Sequence, residues 1–112
     1  MNLWYRVTDL DVARAFYARL GFEEVFRDEE GRWSRIVRDG SELALTEDES
    51  VEIVTDDESG VLTLDVEDVK GEAERLREAG VQVGVVVEIP GTIRLLDVFD
   101  PDGNRIQLTE PL

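Results

Sequence analysis

The segment Asp39-Gly40-Ser41-Glu42-Leu43-Ala44-Leu45-Thr46-Glu47 returns 63 residues later as Asp102-Gly103-Asn104-Arg105-Ile106-Gln107-Leu108-Thr109-Glu110. Each copy runs from an Asp-Gly turn into a strand that ends in Leu-Thr-Glu. A second pair of landmarks agrees. Asp9 precedes an amphipathic stretch that stops at Gly21, and Asp68 precedes another that stops at Gly80, an offset of 59. The two offsets differ by four residues, which reads as an insertion after the second helix. Two copies of one supersecondary unit constrain the architecture strongly, because each must bury its face in the same way. Pseudo-symmetric halves of this kind also tend to enclose a cleft.

The local signals fill in each copy. Leu3-Trp4-Tyr5-Arg6-Val7 is aromatic and β-branched and reads as a strand. Asp9 is a good helix N-cap, and Val12, Phe16 and Leu20 recur at helical spacing with Ala13 and Tyr17 alongside. Gly21 stops that helix in the C′ position. Phe22 to Arg27, Trp33 to Val37 and Leu43 to Thr46 read as three further strands. The second copy follows suit. Val61 to Val66 is a strand, Asp68 a cap, and Val69, Ala73 and Leu76 a helix face. Gly71 lies inside that helix, at a cost of about 1 kcal/mol relative to alanine. Val81 to Ile89, Ile93 to Phe99 and Arg105 to Thr109 are the remaining strands. The chain therefore reads as one α+β domain: a βαβββ unit over 1–47, an acidic linker over 48–60, and a second βαβββ unit over 61–112.

Strand parity assigns two faces. Leu3, Tyr5, Val7, Leu43, Leu45, Leu62, Leu64, Val66, Ile106 and Leu108 turn toward the helices. Asn2, Trp4, Arg6, Glu42, Ala44, Thr46, Val61, Thr63, Asp65, Arg105, Gln107 and Thr109 turn the other way. That second face mixes apolar and polar groups. It suits either an ordinary wet exterior or, if curled, a pocket with a few polar anchors. Phe16, Tyr17, Phe22 and Phe99 are expected in the core, with Tyr5. Trp4 and Trp33 are the aromatic ligand candidates, since an indole offers a flat stacking surface and one N–H. Parity does not set the register of the Trp33 strand, but Arg35 shares its face. An interface or edge role would explain the same tryptophans.

Composition excludes several functions. Acids number 27 against 12 bases, for a net charge of −15. Nucleic acid is a poor partner for such a surface, whereas a cationic ligand would be steered toward it. A solvated acidic shell, as in a protein adapted to a salty cytoplasm, explains the same charge, and lysine is nearly absent. There is no cysteine and no histidine, hence no disulfide framework and no Ser-His or Cys-His nucleophile. No glycine-rich phosphate loop follows a strand. Glu42 and Asp65 have the parity for acid–base work, but the expected role of each is a rim carboxylate paired with Arg6 or Arg105. No apolar run approaches membrane-spanning length and no signal peptide is evident, so a cytoplasmic location is expected.

The stretch Val7-Thr8-Asp9-Leu10-Asp11-Val12-Ala13-Arg14-Ala15-Phe16-Tyr17-Ala18-Arg19-Leu20-Gly21-Phe22 resembles the first strand and helix of the vicinal oxygen chelate superfamily. This group includes glyoxalase I, ring-cleaving dioxygenases and bleomycin-resistance proteins. Asp100-Pro101-Asp102-Gly103-Asn104-Arg105-Ile106-Gln107-Leu108 is similar to its closing turn and strand. The resemblance implies a curved, mostly antiparallel mixed sheet with helices on the convex face. It also implies a metal held by a His or Gln on each unit's first strand and a Glu on each unit's last. Counted from the caps and turns, those four positions are Asn2, Val61, Ala44 and Gln107. Two have no donor atom and two offer only neutral amides, so a metal-free branch is expected, with no cofactor and no catalytic residue.

The function expected is reversible small-molecule binding of the bleomycin-resistance type, for an aromatic or cationic ligand. Trp4 and Trp33 would stack. Arg6, Arg35, Thr63, Arg105 and Gln107 would orient, and Ala44 and Val61 would leave room. A metal-dependent glyoxalase or dioxygenase reaction, or a protein-interaction domain without a ligand, are the alternatives. A homodimer is expected, because sheet edges are usually covered.

Overall fold

A computed structural model of the chain describes residues 3–50 and 61–112. The chain divides into two compact units, Met1–Gly60 and Val61–Leu112. Unit 1 has the order β1 (Leu3–Arg6), α1 (Leu10–Arg19), β2 (Glu23–Asp28), β3 (Trp33–Arg38) and β4 (Ser41–Thr46). Unit 2 repeats it as β5 (Leu62–Asp65), α2 (Val69–Glu78), β6 (Val87–Ile89), β7 (Ile93–Phe99) and β8 (Arg105–Pro111). The sheets are ordered β1-β4-β3-β2 and β5-β8-β7-β6. In each, the first and last strands of the unit run parallel and the other pairs antiparallel. This is the α+β, doubled βαβββ arrangement that the repeat predicts. Of the expected linker over 48–60, residues from 51 onward lie outside the described residues, as does Asn2.

Strand pairing confirms the parity. Leu3 pairs with Leu43 and Tyr5 with Leu45 on the helix side of unit 1, and Leu62 with Ile106 and Leu64 with Leu108 on that of unit 2. Unit 1 packs this face against Leu10, Ala13, Phe16, Tyr17 and Leu20. Tyr17 is fully buried and meets Phe16 and Phe22 edge-on, at centroid distances of 5.0 and 5.8 Å. Such contacts add about 0.5–1.5 kcal/mol each beyond burial. Val12, expected on the packed face, is 51% exposed. The buried stripe starts at Leu10 instead, so position 12 rotates to the rim. Unit 2 buries Val69, Ala73 and Leu76, as expected, against aliphatic strand residues. Gly71 makes space for the cap: a Cβ there would collide with the Asp68 carboxylate, which accepts the Gly71 N–H at 3.0 Å.

The recurrent Leu-Thr-Glu has a structural cause. Glu47 Oε2, just past β4, accepts the N–H of Leu10, the first residue of α1, at 2.6 Å. Glu110 Oε1, on β8, accepts the N–H of Val69, the first residue of α2, at 2.9 Å. Asp9 and Asp68 cap the following N–H groups. Each helix start is thus held by two carboxylates, one local and one from the strand paired with β1 or β5. Both satisfy orphan donors and complement the positive helix end.

The hairpin turn Asp39-Gly40 has positive φ at both residues, the two-residue turn that matches strand twist. Its counterpart differs. Asp102-Gly103 belongs to a longer loop in which Asp100 Oδ1 accepts the N–H groups of Asp102 and Asn104.

The expected strand over Val81 to Ile89 is not continuous. Val83 bridges Val98, Gly84 donates its N–H to the Asp97 carbonyl, and regular pairing resumes only at Val87 with Leu95. Four steps on the edge strand oppose three on β7, so one residue is extra. Unit 1 has the same irregularity in β2, between Glu24 and Phe26. A bulge bends an edge strand and reverses the facing of everything beyond it.

Removing the strand-borne cap of either helix should be costly. Glu47→Ala strands the Leu10 N–H and should lower unfolding free energy by about 1–3 kcal/mol. Glu47→Gln keeps an acceptor and should lose less. Urea denaturation of the two variants gives the comparison, and equal midpoints would contradict the capping role.

Candidate functional site

On the helix-free face of unit 1, the register places residues in rows across β1-β4-β3-β2. One row is Trp4, Ala44, Arg35 and Phe26, and the next is Arg6, Thr46, Trp33 and Asp28. The indoles of Trp4 and Trp33 meet at 5.5 Å and 44°, and Trp33 meets Phe26 at 5.0 Å and 42°. Three aromatic side chains from three strands therefore form one continuous surface. Trp4 and Trp33 reach each other over β4, where Ala44 and Thr46 lie buried, with 5% and 0% exposure. A small side chain at position 44 is what lets the rings approach. The space expected above Ala44 is in this way closed by indole rather than left open.

Phe26 is the residue that sequence reasoning missed. Counting from buried Phe22 gives it helix-facing parity. The bulge at Val25 shifts it by one, so that Phe26 rather than Val25 stands opposite Arg35. It is 47% exposed. The same shift puts Glu24 and Arg27, three residues apart, on the opposite face. There Glu24 Oε2 accepts from Ser34 Oγ at 2.6 Å and from Arg27 Nε at 3.1 Å, and Arg27 also donates to Asp11 at 2.8 Å. The bond to Asp11, followed by that to Glu24, raises the Arg27 pKa against the opposing effect of burial. This charged cluster fastens β2 to α1 and pins the bulge in place.

Charges border the aromatic surface. Arg35 pairs with Glu42 at 3.4 Å, which replaces the expected pairing of Glu42 with Arg6 or Arg105. Asp48 is held below the usual carboxylate range by the Ser50 hydroxyl, then the Ser50 N–H, with the charges of Arg32 and Arg6 adding to the effect.

The helix-free face of unit 2 is built differently. Thr63, Gln107 and Asp97 form one row across β5-β8-β7, and Asp65, Thr109 and Leu95 the next. Asp65 accepts from Thr109 Oγ1 at 2.6 Å, so its partner is a hydroxyl and not an arginine. Arg105 lies 3.7 Å from Asp97. Phe99, expected in the core, pairs with Arg105 on this face and is half-buried. Val61 immediately precedes β5 and is half-buried.

These residues do not fit a catalytic metal. Ala44 has only a methyl group, between Trp4 and Arg35 in its row. Val61 has no donor atom, and Gln107 is a neutral amide beside Thr63 and Asp97. Among the described residues no three His, Cys, Asp or Glu side chains converge to hold an ion. No helix among them is long and apolar enough to cross a membrane.

Solved structures of similar fold cover nearly the whole chain. The bleomycin resistance determinant encoded on transposon Tn5 is 21% identical, with 99% of this chain and 96% of that one aligned and a TM-score of 0.72. An antibiotic binding protein from Streptomyces sp. CB03234 is 27% identical over 100% and 96%, with a TM-score of 0.71. Lactoylglutathione lyase from Agrobacterium tumefaciens is 22% identical over 98% and 91%, with a TM-score of 0.77. No curated protein matches the sequence. The model of the Glyoxalase/Bleomycin resistance protein/Dioxygenase superfamily matches residues 3–108, and the chain belongs to that superfamily.

Proposed function

We propose that this chain binds a small aromatic or cationic molecule reversibly, without a metal and without altering it. The observation that carries this reading is the surface formed by Trp4, Trp33 and Phe26 on the helix-free face of unit 1. Stacking platforms of this kind are costly to leave in water and are useful to a planar ligand. Arg6 and Arg35 flank it as polar anchors, and Ala44 supports the indoles from beneath. The similarity to an antibiotic binding protein, at 27% identity, is consistent with small-molecule binding. The four family metal positions, Asn2, Ala44, Val61 and Gln107, support the absence of a metal reaction. Elemental analysis after dialysis should find no stoichiometric transition metal; one tightly held ion per chain, lost on mutating Gln107, would contradict this.

Phe26 separates binding from stability. Phe26→Ala should change the unfolding midpoint little, because the ring is half exposed, yet weaken an aromatic ligand by about tenfold, or about 1.4 kcal/mol. Phe22→Ala removes a core ring and should cost about 3–5 kcal/mol of stability. Tryptophan fluorescence against a panel of glycopeptide and planar aromatic compounds, beside thermal melts, measures both. If no compound perturbs the fluorescence, or if Phe26→Ala leaves affinity unchanged, the aromatic platform is not the site.

Two copies of the chain are expected to pair through sheet edges. With a net charge of −15 per chain, pairing should strengthen with salt, since screening shortens from about 30 Å at 0.01 M to about 3 Å at 1 M. Sedimentation across that range tests it, and a monomer throughout would exclude the dimer.

A further inference from the structure

Phe26 stands on the edge strand of the unit 1 sheet, where the ladder between β2 and β3 slips by one residue. Its ring is 47% exposed and Val25 beside it 46%, so side-chain packing alone fixes the aim of the ring weakly. The backbone at this point is held from the other side of the sheet. Ser34 lies between Trp33 and Arg35 on β3, and strand alternation turns those two to the helix-free face and Ser34 to the helix side. Ser34 is fully buried. Its hydroxyl donates to Glu24 Oε2 at 2.6 Å and lies 3.2 Å from the Phe26 carbonyl oxygen, within reach of the same hydrogen. Glu24 is fixed in turn by Arg27 Nε at 3.1 Å, and Arg27 by Asp11 in the first turn of α1. One buried hydroxyl therefore touches the residues on both sides of the bulge, Glu24 before Val25 and Phe26 after it.

We infer that Ser34 is a positioning residue for the aromatic surface: by holding Glu24 and the Phe26 carbonyl, its hydroxyl sets how the Phe26 ring meets Trp33 and so how tightly the surface holds a planar ligand. This role rests on the small-molecule reading above and adds to it a residue that never meets the ligand. Ser34 is buried on the helix side and acts only through the backbone of Phe26. Regular pairing beyond Glu24 and Ile36 would put Val25, not Phe26, opposite Arg35 and turn the Phe26 ring to the helix side. The hydroxyl favours the bulged alternative, because a buried hydroxyl is destabilising unless bonded and both of its acceptors lie at the bulge.

The test uses the intact chain, with indole as the probe. In the free wild-type protein, NMR should show contacts between the Phe26 ring and Trp33 indole protons, as their 5.0 Å centroid distance requires. Ser34→Ala should weaken these contacts and shift the Trp33 indole N–H. It should also lower indole affinity by about threefold to fivefold, less than the loss expected for removing the ring itself. Ile36→Val trims a buried side chain on the same face of β3 and weakens the core without touching the bulge, so it should leave contacts and affinity in place. In a Phe26→Ala background, Ser34→Ala should cost no further affinity, because the two residues act through one ring. An unchanged Phe26–Trp33 contact in Ser34→Ala, an equal change in Ile36→Val, or additive losses in the double variant would overturn the positioning role, while indole binding kept the aromatic reading standing. If indole does not bind the wild-type protein at millimolar concentration, the positioning role falls together with the aromatic reading.

Discussion

Each unit depends on a hydrogen bond between a carboxylate at the end of its last strand and the first N–H of its helix. Glu47 performs this for Leu10, and Glu110 for Val69. The last strand is already paired in parallel with the first, so the bond ties three consecutive landmarks: strand, helix start and closing strand. It fixes where the helix begins, and therefore which helical stripe meets the sheet. In unit 1 that stripe is Leu10, Ala13, Phe16, Tyr17 and Leu20, with Tyr17 wedged against Phe16 and Phe22. In unit 2, Arg94 adds to the arrangement by donating to both Glu110 and Glu88. That bond and charge depress the Glu88 pKa, so the contribution of this exposed pair is present above the unfolded carboxylate value and fades as pH falls through the folded one.

The helix side is committed to packing, and on the opposite face the two units differ. Unit 1 carries the three rings of Trp4, Trp33 and Phe26 with Arg6 and Arg35, whereas unit 2 carries the row Thr63, Gln107 and Asp97, with a single ring, Phe99, beside Arg105. The bulge in the edge strand is common to both and has different uses. In unit 1 it brings Phe26 beside Trp33. In unit 2 it sets Gly84 beside Asp97. An extra residue at an edge is a common way to re-aim a side chain without disturbing the core.

Much of this was legible in the residues. Repeated Asp-Gly and Leu-Thr-Glu marked the last strands, and Asp9 and Asp68 marked the helix starts. Parity assigned the facing of Trp4, Ala44 and Gln107, because β1, β4, β5 and β8 run without interruption. Parity failed where the chain is not periodic. Nothing near Val25 signals a bulge, since a valine between Glu24 and Phe26 is ordinary strand sequence, and so Phe26 was left out of the site. Gly84 was a better clue, lying inside a β-branched run. Val12 and Phe99 were misassigned for a related reason: each is apolar and correctly spaced, but lies at the margin of a packed stripe or on the opposite face. The partners of Glu42 and Asp65 depended on diagonal neighbours across strands, which spacing along one strand does not reveal.

The central claim is that the rings of Trp4, Trp33 and Phe26 form a metal-independent binding surface. The most direct measurement follows the two indole N–H resonances by NMR during titration with a planar aromatic compound, in the presence of EDTA. Both signals should move together and saturate with one dissociation constant, while the backbone signals of Ala13 and Tyr17 in the packed helix stay in place. Indole signals that remain fixed at saturating ligand, or that move only when a divalent metal replaces EDTA, would contradict it.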